Sequence, residues 1–302
     1  MSLPLKRNIY TDRDSRNRVV QSFQEGPMKK SVVYTTSRAR LQRVNSSENK
    51  DLNWLFLPGG PGLGSESLLS FIDILNLPGS FWLLDLPGDG SNTTSNNADS
   101  FSRWPKALIE AASQFHPVIL VAHSTGGMYA LSLPELEGLL KGLVLLDSAP
   151  SAVWQASFAE VVKKFPGTGI ELIQENYEKN PNNQSLKELT LASAHYLFTK
   201  KGLSSGLELL RTLPYNYETC QWSAAHFDQT YEAKWIPQTI PTLILAGEED
   251  CLTPLQLFQD DQRFSRENIH FQSIKEAGHF PWIENPVAVA KALSTYADAL
   301  KK

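Results

Sequence analysis

A serine stands where an apolar run turns into a stretch of very small residues. The segment from Val118 to Gly127 reads VILVAHSTGG. Its apolar part predicts a buried strand, and the following STGGMYALSL predicts a helix. A tight strand-to-helix turn admits only small neighbours two residues to either side, and Ala122 and Gly126 meet that condition. Such a turn holds the hydroxyl of Ser124 clear of the sheet at the positive end of a helix, where it could act as a nucleophile.

A serine hydroxyl is a weak nucleophile and needs a base within hydrogen-bond reach. His279, in EAGHFPWIENP, follows the last predicted strand and precedes the final helix. Loops after parallel strands gather at one end of a sheet, so we predict that His279 meets Ser124 and serves as this base. His123 adjoins the serine, but successive side chains on a strand point to opposite sides. We therefore expect His123 to point away from Ser124 and to pack in the core.

A carboxylate must orient the base. Three acidic residues stand at or after strand ends: Glu249 and Asp250 in LILAGEEDCLTP, and Asp147 in LLDSAP. Acidic residues at the starts of helices are also common caps. The residue types and their positions therefore leave the three candidates open.

A glycine-rich loop, PGGPGLG, follows the predicted strand NWLFL. Glycines let backbone N–H groups approach a substrate with no Cβ in the way. Acyl transfer uses such donors to stabilise the oxygen that becomes negatively charged. We predict that the donors are Gly60 and Thr125, the residue after the serine. Nucleotide binding does not fit these loops, because the sequence has neither a GxGxxG opening a helix nor a GK[ST] motif.

The elements that must position these residues alternate along the chain. Six short runs, apolar at most positions, predict strands buried on both faces, as in a parallel sheet between helix layers. These runs span residues 53–57, 81–86, 117–122, 142–147, 241–246 and 268–274. Helical patterns cover about residues 66–75, 100–115, 126–133, 254–265 and 286–301. A further segment near the N-terminus, SVVYTT, predicts an edge strand.

The alternation stops between residues 148 and 240, where short amphipathic helical patterns replace the strands. Because the chain must return to the same sheet at PTLILA, we predict a helical cap inserted at residues 151–235. The core then comprises residues 31–150 and 236–302, and residues 1–30 form an N-terminal arm. Aromatic residues of the insert could line a pocket or form its own small core: Trp154, Phe158, Phe165, Tyr177, Tyr196, Phe198, Tyr215, Tyr217 and Trp222.

Four of these motifs, in this order, resemble those of the α/β-hydrolase family over about residues 53–301. The serine turn resembles the nucleophile elbow Gly-x-Ser-x-Gly, with Ala122 in place of the first glycine. The Asp250 loop resembles Gly-x-x-Asp-x-x-x-Pro, and the loop around His279 resembles the family's Gly-His loop. The resemblance implies an α/β-hydrolase fold with Ser124 as nucleophile, Asp250 as acid and His279 as base. Asp147 is the second candidate for the acid, because some family members have their catalytic acid at the end of this earlier strand.

The glycine-rich stretches add to the resemblance. PGGPG resembles the His-Gly-Gly-Pro-Gly loop of the proline iminopeptidase branch, with Pro58 in place of the histidine. DLPGDGSN resembles the family's Asp-x-Arg-Gly-x-Gly-x-Ser stretch, with Pro87 where arginine usually stands, and implies a structural role. The resemblance implies no cofactor and no metal.

Composition narrows the class of protein. With 302 residues, 41% of them hydrophobic and 20% charged, the chain is typical of a soluble globular protein. Cys220 and Cys251 are too few for a disulfide framework and fit no metal-ligand pattern. No apolar run approaches the roughly 20 residues of a membrane helix, and no secretory signal is recognisable, so we expect a cytoplasmic protein. The ten Lys or Arg among residues 1–43 are scattered, so we expect a solvated arm and no nucleic-acid partner.

These observations lead us to expect a serine hydrolase acting on a small-molecule substrate. It would cleave a carboxylic ester, or an amide, of a small, partly apolar acyl group through an acyl-enzyme intermediate. The alternatives are an acyltransferase on the same scaffold and a proline iminopeptidase-like aminopeptidase, which would need acids of the cap to hold a substrate ammonium group. The candidates for that task are Glu171, Glu175, Glu208 and Glu218. A non-catalytic binding protein is a further alternative, but such a protein has no need of all three catalytic residue types.

Overall fold

A single sheet organises the computed structural model, which describes residues 11–13, 19–22, 31–45, 52–93 and 101–301. In the sheet the strands follow the order β1-β2-β3-β4-β6-β5-β7-β8-β9-β10. Strands β1 to β4 and the β4–β6 pair run antiparallel, whereas β6, β5, β7, β8, β9 and β10 run parallel to one another. The strands are β1 (Thr11–Arg13), β2 (Val19–Ser22), β3 (Ser31–Tyr34), β4 (Arg40–Arg43), β5 (Asn53–Leu57), β6 (Ser80–Asp85), β7 (Val118–His123), β8 (Gly142–Leu146), β9 (Thr242–Gly247) and β10 (Ile269–Ile274).

The central strands are buried along their whole length. Every residue of β5, β6, β7, β8 and β9 is buried. Alternate side chains of β5 enter different cores: Trp54 and Phe56 join one apolar cluster, and Leu55 and Leu57 join the other. The sheet therefore has an apolar core on each face, as the run pattern predicts for parallel strands covered by helices. The predicted α/β fold with a mostly parallel sheet is confirmed.

The predicted strands agree with the structure to within one residue at each end, except at the N-terminal side of the sheet. The SVVYTT segment contains β3, but β3 pairs with both β2 and β4, so the prediction of an edge strand is wrong. Strand β4 was not predicted, because RLQR lacks an apolar run. Most of the predicted arm, residues 1–30, lies outside the described residues, but β1 and β2 within it extend the sheet.

Helices cover the sheet and fill the long connection between β8 and β9. They are α1 (Leu69–Asp73), α2 (Trp104–Ala112), α3 (Thr125–Leu131), α4 (Val153–Lys164), α5 (Ile170–Lys179), α6 (Asn183–Ala192), α7 (Ala194–Leu197), α8 (Leu203–Thr212), α9 (Tyr217–His226), α10 (Gln256–Gln259), α11 (Pro281–Glu284) and α12 (Pro286–Ala299). The helical pattern over 254–265 becomes the single turn of α10 and a 3₁₀ turn at Gln262–Phe264. Within the described ranges, none of the helices is long and apolar enough to cross a bilayer.

The insert comprises α4 to α9 and leaves the sheet between two adjacent strands. Strand β8 precedes it, β9 follows it, and these two strands pair directly. The ends of the insert meet at an isolated antiparallel bridge between Ser151 and Glu232. Helix α9 was not predicted as a separate helix, because its sequence shows no amphipathic stripe. The cap boundaries at 151 and 235 stay a prediction.

Candidate active site

The turn between β7 and α3 holds Ser124 in a strained conformation. Its φ is +50° and its ψ is −125°, values that an L-residue rarely adopts. Its backbone N–H donates to the carbonyl of Leu146 on the neighbouring strand, at 2.8 Å. A Cβ added to Gly126 would lie 2.4 Å from the carbonyl oxygen of Pro58, so this turn requires glycine there. The close packing explains why a serine at this turn is followed by such small residues.

His279 lies in the loop between β10 and α11, at the same end of the sheet as Ser124. Its Nε2 lies 3.0 Å from Oγ of Ser124. Two backbone contacts fix the loop: the His279 N–H donates to the carbonyl of Leu197, and the Gly278 N–H donates to the buried carboxylate of Glu284. The imidazole is therefore held from the core and from the insert.

Asp250 follows β9 and meets the other nitrogen of the imidazole. Its Oδ2 lies 3.0 Å from Nδ1 of His279 and accepts a hydrogen bond from the Thr253 hydroxyl, while Oδ1 accepts from the Leu252 N–H. Burial alone would raise the pKa of Asp250, but the charge of His279 and these hydrogen bonds hold the pKa below its usual value. Asp250 is therefore ionised at neutral pH, in a site that excludes water.

The structure separates the three carboxylate candidates. Asp250 contacts His279, whereas Glu249 is exposed. Asp147 is fully buried beside the pair and accepts a hydrogen bond from the Gly247 N–H at 2.8 Å. The carboxylate that meets the imidazole is thus the one that the resemblance favours.

The same end of the sheet could also hold a metal ion. One ligand atom each from Asp147, Asp250 and His279 lie within 4.8 Å of one another. However, Nδ1 of His279 faces Asp250 and Nε2 faces Ser124. Both imidazole nitrogens therefore already have hydrogen-bond partners, an arrangement suited to proton transfer.

His123 contributes to the site in a way that the sequence did not reveal. The prediction that His123 packs in the core is confirmed, because its side chain is buried, but the residue also lines the cavity at Ser124. Its ring packs against Phe280 and Trp282, and its Nε2–H donates to the carbonyl of His279 at 2.9 Å. Burial, followed by the charge of His279, lowers the pKa of His123 to about 3, so this imidazole is neutral. A sharply bent turn lets neighbouring residues serve one cavity, which strand alternation alone does not predict.

The glycine-rich loop packs directly against the serine. A Cβ added to Gly59 would lie 2.3 Å from the Cβ of Ser124, and Gly60 has a φ of +50°. Gly60 and Thr125 both line the cavity. Within the described residues, neither of their N–H groups donates to another protein group. These two predicted donors are therefore free to bind an oxygen of a ligand.

Gly62 joins this loop to two other parts of the molecule. Its N–H donates to Oδ1 of the buried Asp89, in DLPGDGSN, at 2.7 Å. Its carbonyl accepts from the N–H of Asn216, at the start of α9, at 2.8 Å. Burial, followed by the charge of Asp85, raises the pKa of Asp89 to about 7. The DLPGDGSN stretch thus supports the glycine-rich loop, which is a structural role.

A cavity of about 170 Å³ opens at Ser124. Among the residues that the structure describes, the lining carries no ionisable side chain apart from the histidines. The lining residues are Gly59, Gly60, Leu63, Ser67, His123, Ser124, Thr125, Met128, Trp154, Leu197, Leu252, Thr253, His279 and Phe280. Trp154 is the one residue of the nine candidate aromatics in this lining. The four glutamates considered for binding an ammonium group are all exposed: Glu171, Glu175, Glu208 and Glu218. The lining is therefore largely apolar and uncharged.

Sequence comparison identifies related proteins. Residues 54–292 match the model of a family described as the alpha/beta hydrolase family. A Mycoplasma genitalium protein described as an esterase/lipase is 25% identical over 251 residues, which cover 80% of this chain and 88% of that protein.

Solved structures show the same fold at low sequence identity. An alpha/beta fold family hydrolase from Bacillus anthracis has a TM-score of 0.69 at 15% identity, covering 90% of this chain and 98% of that chain. An esterase from Thermogutta terrifontis has a TM-score of 0.62 at 16% identity, and the match covers 91% of this chain and 100% of that chain. A proline iminopeptidase-related protein from Thermus thermophilus has a TM-score of 0.63 at 20% identity, and the match covers 94% of this chain and 98% of that chain.

Proposed function

The chain belongs to the alpha/beta hydrolase family, and we propose that within it the protein is a serine hydrolase of neutral carboxylic esters. One observation carries the proposal: the imidazole of His279 lies 3.0 Å from both the Ser124 hydroxyl and the Asp250 carboxylate. This is the arrangement that turns a serine alcohol into a nucleophile. Because the three side chains are buried beside an apolar cavity, the same arrangement operates with little competition from bulk water.

The geometry supports an acyl-enzyme mechanism. Oγ of Ser124 attacks the ester carbonyl carbon while Nε2 of His279 takes the hydroxyl proton. The N–H groups of Gly60 and Thr125 stabilise the oxyanion, each with a typical effect of about 10²–10³ in rate. His279 then gives the proton to the departing alcohol. Water, deprotonated by His279, attacks the acyl-enzyme and releases the acid, with the proton returning to Ser124.

The cavity supports an uncharged acyl group. Its size of about 170 Å³ suits a short or medium chain, and its aliphatic and aromatic lining gains from burying methylene groups. An aminopeptidase would need a carboxylate to hold the substrate ammonium group, because an unpaired buried charge is costly. The described part of the lining contains no carboxylate, and the candidate glutamates are exposed. These observations favour an ester over an aminoacyl amide.

A substitution of the nucleophile tests the proposal. Ser124→Ala should lose about 10⁶ in kcat on an activated short-chain ester, as removal of a catalytic-triad serine does elsewhere, while its Tm stays close to wild type. The same variant should lose labelling by a fluorophosphonate, which reacts with activated serines. Ser80→Ala, at a buried serine at the start of β6, serves as the control and should keep its labelling. Turnover by folded Ser124→Ala at the wild-type rate would refute the mechanism.

A substrate panel tests the acyl preference. We expect kcat/KM for a neutral acyl ester to exceed the value for a prolyl amide and for its N-acetylated form. A strong preference for the free prolyl amide would contradict the ester assignment and support an aminopeptidase. Transfer of the acyl group to an added alcohol faster than to water would instead support an acyltransferase.

A further inference from the structure

A second carboxyl group lies beside the proposed catalytic residues without a task in the mechanism. Asp147, which follows β8, has no solvent-exposed surface. Its φ of +43° is rare for a residue other than glycine, which indicates that its surroundings constrain it. One oxygen of its carboxyl group lies within 4.8 Å of a carboxylate oxygen of Asp250. Two carboxyl groups this close in a dry site do not both ionise, because like charges repel.

The hydrogen-bond donors show which carboxyl group carries the charge. Asp250 accepts from the imidazole of His279, from the hydroxyl and N–H of Thr253 and from the N–H of Leu252. Among the described residues, Asp147 accepts at Oδ1 from one N–H, that of Gly247. Donors stabilise a carboxylate anion, so this distribution favours the anion on Asp250.

The remaining oxygen of Asp147 points to the same distribution. Within the described residues, its Oδ2 is buried and has no donor to accept from. A buried polar atom without a partner is costly, but a protonated oxygen can donate to a nearby acceptor. The contact between two carboxyl groups becomes a hydrogen bond only when one of them carries a proton. Burial, followed by the charge on Asp250, raises the pKa of Asp147 well above its usual value, in agreement with this assignment.

We propose that Asp147 is a neutral carboxylic acid that donates its proton to the Asp250 carboxylate and so holds that carboxylate against His279. Asp147 is then a positioning residue, and it does not replace Asp250 as the acid. The inference rests on the proposed function, because it assigns a task within the same catalytic arrangement.

Two substitutions of Asp147 separate its proton from its charge. In Asp147→Asn the amide can donate to Asp250 and still accept from Gly247, and asparagine tolerates a positive φ. We expect kcat and the pH profile of this variant to stay close to wild type. Asp147→Ala removes the donor, so we expect kcat to fall about tenfold with little change in KM. Its acid limb in kcat/KM should move to higher pH, because Asp250 without this donor holds the imidazolium more tightly.

The outcomes are distinct. A loss in Asp147→Asn as large as in Asp147→Ala would mean that the negative charge matters, and would overturn the proposal. Wild-type kinetics and pH profile in Asp147→Ala would also overturn it, since a merely structural residue would change Tm alone.

An infrared measurement tests the proton directly and does not depend on activity. The difference spectrum of wild type minus Asp147→Asn at neutral pH should contain the carbonyl stretch of a protonated carboxylic acid. Its absence would refute the inference even if Asp147→Ala fails to fold. Failure of the proposed function would appear separately, as full activity in Ser124→Ala.

Discussion

The insert consists of two regions that are held very differently. The outer helices, α4 and α5, contain no buried residue. Each of the anchored helices, α6 to α9, contains two. The outer helices even expose large apolar side chains, with Val153 at 62% and Leu172 at 73% exposure. Burial is the main source of stability for a short helix, so the outer helices are the less firmly held part.

The anchored region and the outer helices also differ in their hydrogen bonds to the core. From the anchored region, the Leu197 carbonyl accepts from His279, and the Thr199 N–H donates to Glu284. Asn216 binds the glycine-rich loop through Gly62. The outer helices contribute Trp154 to the cavity lining. The difference indicates that the anchored helices are tied to the loops around the cavity by hydrogen bonds, whereas the outer helices meet the cavity through the side chain of Trp154.

The largest expected effect lies in the core, where neither part of the insert can compensate. Asp250→Asn removes the charge that orients His279 and should lower kcat by about 10⁴. Asp147→Asn is the matched control, because it changes a neighbouring carboxyl in the same way and should have a far smaller effect. Steady-state kinetics on one ester measure both. The reverse ranking would assign the role of acid to Asp147.

Asp89 supports Gly62 from the core and should make stability depend on pH. Its pKa is raised in the folded state to about 7, so folding favours the protonated form. Its contribution is complete below the unfolded pKa and is lost as pH rises from about 4 through about 7. Asp89→Asn, which keeps a neutral acceptor, should therefore be more stable than wild type above about pH 7, by up to about 4 kcal/mol.

Urea unfolding across this pH range measures the effect of Asp89→Asn. The informative quantity is the difference in the free energy of unfolding between Asp89→Asn and wild type at each pH, because other buried acids titrate in both proteins. Asp73→Asn, at an exposed position of α1, is the control and should follow wild type. If this difference in unfolding free energy were the same at every pH tested, the pH dependence would not come from Asp89.

Asn216 supports Gly62 from the insert, and its substitution tests the anchored region. Its side chain caps α9 by accepting from the Thr219 N–H, and it donates to the Gly88 carbonyl at 2.6 Å. Asn216→Ala keeps the backbone N–H that binds Gly62 but removes the cap of α9 and the bond to Gly88, so the start of α9 is less firmly placed against the glycine-rich loop. It should cost about 1–2 kcal/mol of stability and lower kcat by up to about tenfold. Asn182→Ala removes the equivalent cap of α6 away from the loop. Asn182→Ala should lower stability by a similar amount and leave kcat unchanged. If both variants lost kcat equally, the effect of Asn216 would not depend on its position beside the glycine-rich loop.

The smallest effect is expected in the outer region. Trp154→Ala should enlarge the cavity and shift kcat/KM toward longer acyl chains, by about 1 kcal/mol for each methylene accommodated. Stability should fall by less than for a fully buried tryptophan, since Trp154 is half-buried against Met128 and Tyr231 while the rest of α4 has no buried residue. Val153→Ala, on the same helix and exposed, is the control and should keep the wild-type chain-length profile. Large destabilisation by Trp154→Ala would show that α4 is as firmly held as the anchored helices.

The fold was predictable wherever burial dictates residue type. The parallel strands are apolar at most positions, so their sequences alone indicate sheet. Strand β4 is different: RLQR alternates, and Arg40 forms an ion pair with the buried Asp85, on the neighbouring β6, at 2.6 Å. Such a strand is specified by partners distant in the chain, which local patterns do not contain. The same holds for α9, whose anchors are Gly62 and Gly88.

The three residues that meet at the site were predictable because each stands in a short motif at the end of a parallel strand. Their supports were not. His123 binds the carbonyl of His279, 156 positions away along the chain, and Glu284 joins Gly278 to the insert. These contacts depend on loop conformation, which residue types do not encode locally. In the sequence, Glu284 is a glutamate just after the histidine loop, and only the structure shows that it is buried.

The way the insert leaves the sheet has an evolutionary consequence. Its ends meet at Ser151 and Glu232, next to two strands that pair with each other in any case. An ancestor could therefore gain, lose or exchange the entire segment without changing the register of one strand. Ser124, Asp250 and His279, to which we assign the chemistry, all lie outside it. Selection on the insert can thus act on one contiguous stretch of gene, while the segments that encode Ser124, Asp250 and His279 are inherited unaltered.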